Sequence, residues 1–450
     1  MSARALCLAL ALLVVPRTAP QDRALALAVA SFEDVWQTIN DTFYDPTFGG
    51  VDWAGVRHEL LPRARAAKTV EDVRSIIRDM IDRLGHSHFE LMSDSNALPG
   101  AGSLPIEIRV LASEVVITRV PREGQAASAG LKPGQVLLAV DDVTAESWRK
   151  ARTGRDGRAQ NQRQWEAAYR SLFGDDDSMA VLKVRDTDGR QRTVSVRRDS
   201  GTGDLLAFGN VTLRNARLNT ARLSTRSGRD VGLIAFTMWM GAVGDPFAEA
   251  VDTFRASDGM ILDLRGNPGG LMGMIVRFSG HFMKEHDLLG TMRTRSAPEL
   301  TFKANPQLAT ADGRRVAPFA GPLAILVDDQ TASTSEIFAG AMQSTGRARV
   351  FGRQTMGQAL PASTRTLPNG DVLLHVVGDF VTPDGRSLEG RGVMPDEIVP
   401  LSIATLASGR DADVDAALVW IDRARSLLLC SGDLQGTQFL PRWVAPLMRP

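Results

Sequence analysis

Apolar residues recur at intervals of three and four in the first part of the chain, at Val35 and Ile39 and again at Val73, Ile76, Ile77 and Met80. That spacing predicts helices between Phe32 and Leu84, one of them opened by Thr69 and the acidic pair Glu71-Asp72. From about Leu104 to Arg198 the pattern shortens. Val115-Val116-Ile117 and Val136 to Val140 read as strands, Gln125 to Ala129 as a short helix, and Gly130-Leu131-Lys132-Pro133-Gly134 as a turn. Ala180 to Val184 and Thr193 to Val196, joined through Asp188-Gly189, predict a hairpin, and the stretch Ala145 to Asp175 is a charged, partly helical insertion. Beyond Asp204 strands such as Val231 to Phe236 alternate with helices such as Pro246 to Phe254, which predicts an α/β core reaching to Ile403. Val414 to Leu428 reads as a closing amphipathic helix. No internal repeat or low-complexity tract interrupts this order.

Charge adds an exclusion. The 52 basic side chains balance the 52 acidic ones, so the chain has no basic field to hold nucleic acid and no acidic tail. Its 450 residues allow two or three domains with proper cores. Arg4, the apolar run Ala5 to Val15 and the small residues to Ala19 have a signal-peptide layout too short to span a bilayer. Export to the periplasm or the exterior is the expectation, with an uncleaved membrane anchor as the alternative because Pro20 disfavours cleavage after Ala19. Cys7 would leave with the signal, and Cys430 alone forms no internal disulfide.

The candidate chemistry lies in three separated stretches. Leu323 to Val327 is an unbroken apolar strand, Asp328-Asp329-Gln330 a polar turn, and Ile337, Phe338, Ala341 and Met342 a helical stripe ending near Gly346. Ser333 therefore falls at or just before the first turn of a helix, where unpaired N–H groups can stabilise an oxyanion. The plainer reading is an N-cap, with Glu336 three residues on completing a capping box. In Asp263-Leu264-Arg265-Gly266-Asn267-Pro268-Gly269-Gly270 a buried-type strand runs into a loop whose glycines permit close backbone approach, and whose Gly269 N–H could join that of Thr334 as an oxyanion donor. A tight turn is the alternative there. Gly85-His86-Ser87-His88 supplies imidazoles for a base. In an extended segment both rings would face one way, so spacing alone does not choose between His86 and His88. A His-x-His pair also suits a metal, although Asp82 and Glu90 are only loose further ligands.

These stretches resemble the C-terminal processing, or tail-specific, serine peptidases and their relative the tricorn core protease. Asp263 to Gly270, Thr331 to Ile337, Gly352 to Gly357 and Gly392 to Asp396 reproduce four of the family's motifs in the family's order, and the likeness runs from about Ser31 to about Pro400. It implies that Ser333 is the nucleophile and Ser335 a supporting residue. Members with a Ser-Lys dyad carry lysine where this chain has Gln358, and an amide has no proton to exchange near neutral pH. The tricorn-like branch instead uses a Ser-His pair and a late glutamate. Here these fall on Ser87-His88 and Glu389, which favours His88 over His86 as the base, with Ser87 and Glu389 orienting it.

The resemblance further implies a crotonase-like (ClpP-like) spiral core of ββα units and a PDZ-like β domain. The expected division is a signal peptide at 1–24, an N-terminal helical region at 25–98, a PDZ-like domain with an insertion at 99–200, a catalytic domain at 204–403 and a helical tail at 404–450. A PDZ-like domain would recruit polypeptide tails by strand addition, its carboxylate loop lying near Ser103 to Ile106, or would serve merely as a spacer. The expected activity is endopeptidase cleavage through Ser333, His88, Glu389 and Ser87, with Gly269 and Thr334 as oxyanion donors and no metal or cofactor. The alternative is a non-catalytic protein that holds peptides or hydrophobic ligands on the same scaffold, for which Gln358 is the best argument.

Overall fold

The computed structural model describes residues 19–431 except 94–97, 154–156, 201–204, 209, 210, 215 and 311. The apolar run Ala5 to Val15 and Cys7 lie outside the described residues. The predicted N-terminal helices are Ala19–Thr42, Trp53–Ala66 and Val70–Asp82. The last begins in a reciprocal capping box, in which Thr69 Oγ1 accepts from the Asp72 N–H and the Asp72 carboxylate accepts from the Thr69 N–H. The three helices bury Phe32, Val35, Ile39, Leu60, Ile77 and Met80 against one another and against Leu367, Leu373 and Val376, which come from the far end of the chain.

That long-range packing is fixed by a strand pairing. Glu90–Met92 adds antiparallel to Val372–Val376, itself paired with Ala362–Thr366. Arg74 reinforces it with two hydrogen bonds to the Asp371 carboxylate, at 2.8 and 2.6 Å. The loop just before Glu90, which carries His86 and His88, is thereby pinned against the C-terminal half.

The middle of the chain forms an antiparallel sheet in the order Glu107–Leu111, Glu114–Arg119, Val136–Val140, Met179–Arg185, Gln191–Arg197. Side chains of Met179–Arg185 alternate outward and inward, so Ala180, Leu182 and Val184 join Ile108, Ile117, Leu137 and Trp148 in one core. The charged insertion folds as the helices Ala145–Lys150 and Gly157–Ser171.

A second sheet, of six strands, runs Leu218–Ser224, Asp230–Phe236, Gly259–Asp263, Leu323–Val327, Arg349–Gly352, Glu397–Ile398, parallel throughout except for its first pair. Leu323–Val327 is buried at every position because both sheet faces are covered. On one face lie Trp239, Phe247, Phe278 and Phe338; on the other, the helix Ala412–Ser431 packs Ala417 and Ile421. Gly259–Asp263, Leu323–Val327 and Arg349–Gly352 are neighbours, so the loops leaving their C-terminal ends converge at one edge of the sheet, where open α/β sheets place their sites. The whole is a mixed α/β structure. No described helix is long and apolar enough to cross a membrane.

Candidate active site

Ser333 sits immediately before the helix Thr334–Ser344, with φ 54° and ψ −124°. This is backbone that side chains avoid, at a cost of about 1–3 kcal/mol. Two acceptors hold it there, since the Ser333 N–H donates to the Gln358 carbonyl at 2.7 Å and to Glu336 Oε2 at 3.2 Å. The strained turn brings the hydroxyl within 3.0 Å of His88 Nε2.

From the imidazole a chain of contacts leads back to the late acid. His88 Nδ1 lies 2.7 Å from Ser87 Oγ, Ser87 Oγ donates to Glu389 Oε2 at 2.9 Å, and the Ser87 N–H donates to Glu389 Oε1 at 2.9 Å. Ala359 N–H also donates to Glu389 Oε2, at 3.0 Å. Ser87 has one hydroxyl proton and gives it to the carboxylate, so it accepts from Nδ1–H, which leaves the Nε2 lone pair toward Ser333. Burial pushes the His88 pKa down to about 4, so the ring is neutral at ordinary pH.

His86 takes a different direction. The backbone at His88 has a positive φ of 59°, so the segment is not extended and the two rings diverge. The His86 ring packs 5.5 Å from that of Phe43, its Nε2 faces Gly49, and it makes no hydrogen bond to Ser333, Ser87 or Glu389.

The glycine loop approaches from the adjacent strand. A Cβ on Gly269 would lie 2.6 Å from Ser333 Cβ and 2.9 Å from the Thr334 nitrogen, and the residue has φ 99°. Only glycine fits there. The Gly269 N–H, singled out above as an oxyanion donor, is already engaged with Asn267 Oδ1 at 3.0 Å. Among the described residues, the neighbouring Gly270 N–H and the Thr334 N–H meet no acceptor. Asn267, fully buried, also donates to the Phe236 carbonyl and accepts the Ala332 N–H on its own carbonyl, which ties the loop to the nucleophile turn. Gly269→Ala is expected to leave the circular dichroism spectrum unchanged while slowing covalent labelling of Ser333 about 100-fold, the scale of a 1 Å misplacement.

Two carboxylates organise these turns, Glu336 and Asp328. Glu336, read from the sequence as a cap, accepts from Thr355 Oγ1, Gly357 N–H, Gln358 N–H and Ser333 N–H at 2.5–3.2 Å. Burial pushes it up, to about 7. The four donors oppose that rise, each favouring the carboxylate over the acid. Asp328 accepts from Gly266 N–H and Gln330 N–H through Oδ1, and from the Arg109 guanidinium through Oδ2 at 2.6 and 2.9 Å. Arg109 comes from the first strand of the middle sheet, 7% exposed. A Glu three residues after a serine hints at the first of these. Nothing in the sequence marks a lone arginine 219 positions away as the partner of Asp328.

Residues 230–399 match the model of peptidase family S41, and residues 30–82 that of the tricorn protease C1 domain. The chain carries an S41 domain and is a serine-type peptidase. It is 27% identical to the carboxyl-terminal-processing protease of Picosynechococcus sp. over 418 residues, which cover 89% of this chain and 91% of that one. Identity is 26% to the carboxyl-terminal-processing peptidase 2, chloroplastic, of Arabidopsis thaliana, over 86% of this chain and 72% of that protein. The fold is similar to that of the photosystem II D1 C-terminal processing protease, with TM-score 0.56, 19% identity, and 87% and 96% of the two chains covered. Mature CPAF superposes with TM-score 0.58 at 13% identity over 91% of this chain and 99% of that one. The S41 domain spans the nucleophile turn, the glycine loop and Glu389; His88 lies outside both matched segments.

Proposed function

We propose that this protein is an exported serine endopeptidase that cuts polypeptide tails by acylation of Ser333, with His88 as base in place of the dyad lysine. The observation that carries the reading is the 3.0 Å approach of His88 Nε2 to Ser333 Oγ across 245 positions of sequence. His88 takes the Ser333 proton as Oγ attacks the scissile carbonyl, and returns it to the leaving amine; water, activated by the same nitrogen, then releases the acyl group. Ser87 relays the Glu389 charge to Nδ1–H and steadies the imidazolium. The N–H of Thr334 and the main chain of the Gly269–Gly270 turn receive the oxyanion, with Gly270 as the donor that has no competing acceptor. Gln358 contributes its backbone rather than its amide: its carbonyl holds the Ser333 N–H.

The middle sheet is read as PDZ-like and the parallel sheet with its helices as a crotonase-like (ClpP-like) core. A PDZ-like unit would recruit a substrate tail through the edge of the sheet. The layout of the first residues supports export. A non-catalytic binder gains nothing from a strained serine aligned with a neutral imidazole, an oriented relay and unspent N–H groups.

A fluorophosphonate probe tests the reading. Stoichiometric labelling, mapped by mass spectrometry to Ser333 and abolished by Ser333→Ala, is expected; an unlabelled wild type sinks the proposal. The same assay run against pH reports the base. Because desolvation favours the neutral ring, labelling should persist well below pH 6.5 and fall off only toward about 4. An acid limb at 6.5 or above would mean that the ring is solvated.

A further inference from the structure

Resting on the proposed function, we infer that Arg158, on the insertion helix of the middle unit, is a positioning residue that braces the turn carrying Glu389. Its guanidinium donates to the Gly390 carbonyl at 2.7 Å and to the Arg391 carbonyl at 3.3 Å, the two carbonyls that follow the acid directly. Gly390 and Gly392 both have positive φ, 70° and 71°, so the turn is built on two residues with little intrinsic stiffness. The Arg391 and Gly392 N–H groups donate to the Leu388 carbonyl, and the Gly390 N–H donates to the Gly357 carbonyl at 2.8 Å. The outward carbonyls are held from outside the turn, by Arg158 and by Gln354 Nε2 on Arg391.

The same guanidinium lies over Gly357, where a Cβ would come within 3.0 Å of Nη2. Gly357 N–H is one of the four donors on Glu336, and Ala359, two residues on, donates to Glu389. One cation thus sits on the junction of the loop that sets the nucleophile and the loop that sets the acid. One helical turn further along the same face, Gln162 Oε1 accepts from Gln330 Nε2 at 3.0 Å, and Gln330 belongs to the turn that leads into Ser333. The helix Gly157–Ser171 therefore touches both sides of the Ser333–His88–Ser87–Glu389 line without supplying a group to the chemistry. Both Arg158 bonds join a cation to a carbonyl, and a loop released at this point would let the acid drift from Ser87.

The test is fluorophosphonate labelling of the full chain, resolved into the saturating rate and the half-saturating concentration. Arg158→Ala should reduce the saturating rate about 10- to 100-fold with the half-saturating concentration and the thermal midpoint unchanged, and Arg158→Lys should recover much of it. Arg163→Ala, on the same helix and paired with Glu166, should label like wild type. Wild-type labelling of Arg158→Ala would overturn the inference, as would a rate loss matched by an equal loss of thermal midpoint or left unrescued by lysine. An unlabelled wild type would overturn the proposed function first and this inference with it.

Discussion

His88→Ala is expected to slow acylation of Ser333 by on the order of 10⁴-fold or more, the scale on which serine hydrolases lose rate when their imidazole is removed. The ring is the only base within hydrogen-bond reach of the Ser333 hydroxyl among the described residues. His86→Ala should retain most of the rate, because that ring packs on Phe43 and bonds to none of the relay. Ser87→Ala and Glu389→Gln should fall between the two, since they leave Nε2 in place and loosen only its tautomer and aim. Labelling rates of the four variants at neutral pH give the order; a His86 variant slower than the His88 variant would reassign the base.

Arg109→Ala should destabilise the chain by about 3–5 kcal/mol, the usual cost of leaving one partner of a buried ion pair alone. Asp328 is 3% exposed and its carboxylate holds the Gly266 N–H, so the unpaired charge would lie under the glycine loop. The denaturation midpoint, followed by tryptophan fluorescence, measures the loss. Burial alone would raise the Asp328 pKa, but Arg109 pulls it below the ordinary value, to about 2. Depressed in the folded state, the group stabilises fully above its unfolded pKa of about 3.9 and loses that contribution as the pH falls toward 2. The gap between wild type and Arg109→Ala should therefore shrink over that interval, and a gap constant from pH 5 to 2 would contradict the pairing.

The elements with strong periodicity were legible in the sequence. The helix Val70–Asp82 announced itself through Thr69, Asp72 and a stripe of four apolar residues, and the strand Leu323–Val327 through an apolar run with no polar break. Ser333, His88, Ser87 and Glu389 were nameable because motif order identified them, and the structure brings these four together. The divergence of His86 from His88 was not legible, since it depends on a positive φ at His88, which few non-glycine residues adopt and no local pattern here announces. Nor was the bond that occupies the Gly269 N–H, because the acceptor is a side-chain oxygen two residues earlier. Glu336 is the instructive middle case. Its cap role was visible, but its hold on Gly357 and Gln358 depends on a strand crossing that no local pattern encodes.

The pairing of Glu90–Met92 with Val372–Val376 has a temporal consequence. During synthesis the imidazole emerges early and the hydroxyl long after it, yet the ribbon that fastens the first beside the second is made later still. A ribosome-bound chain that reaches only just past Ser333 therefore lacks the strand that fastens the His88 loop beside it.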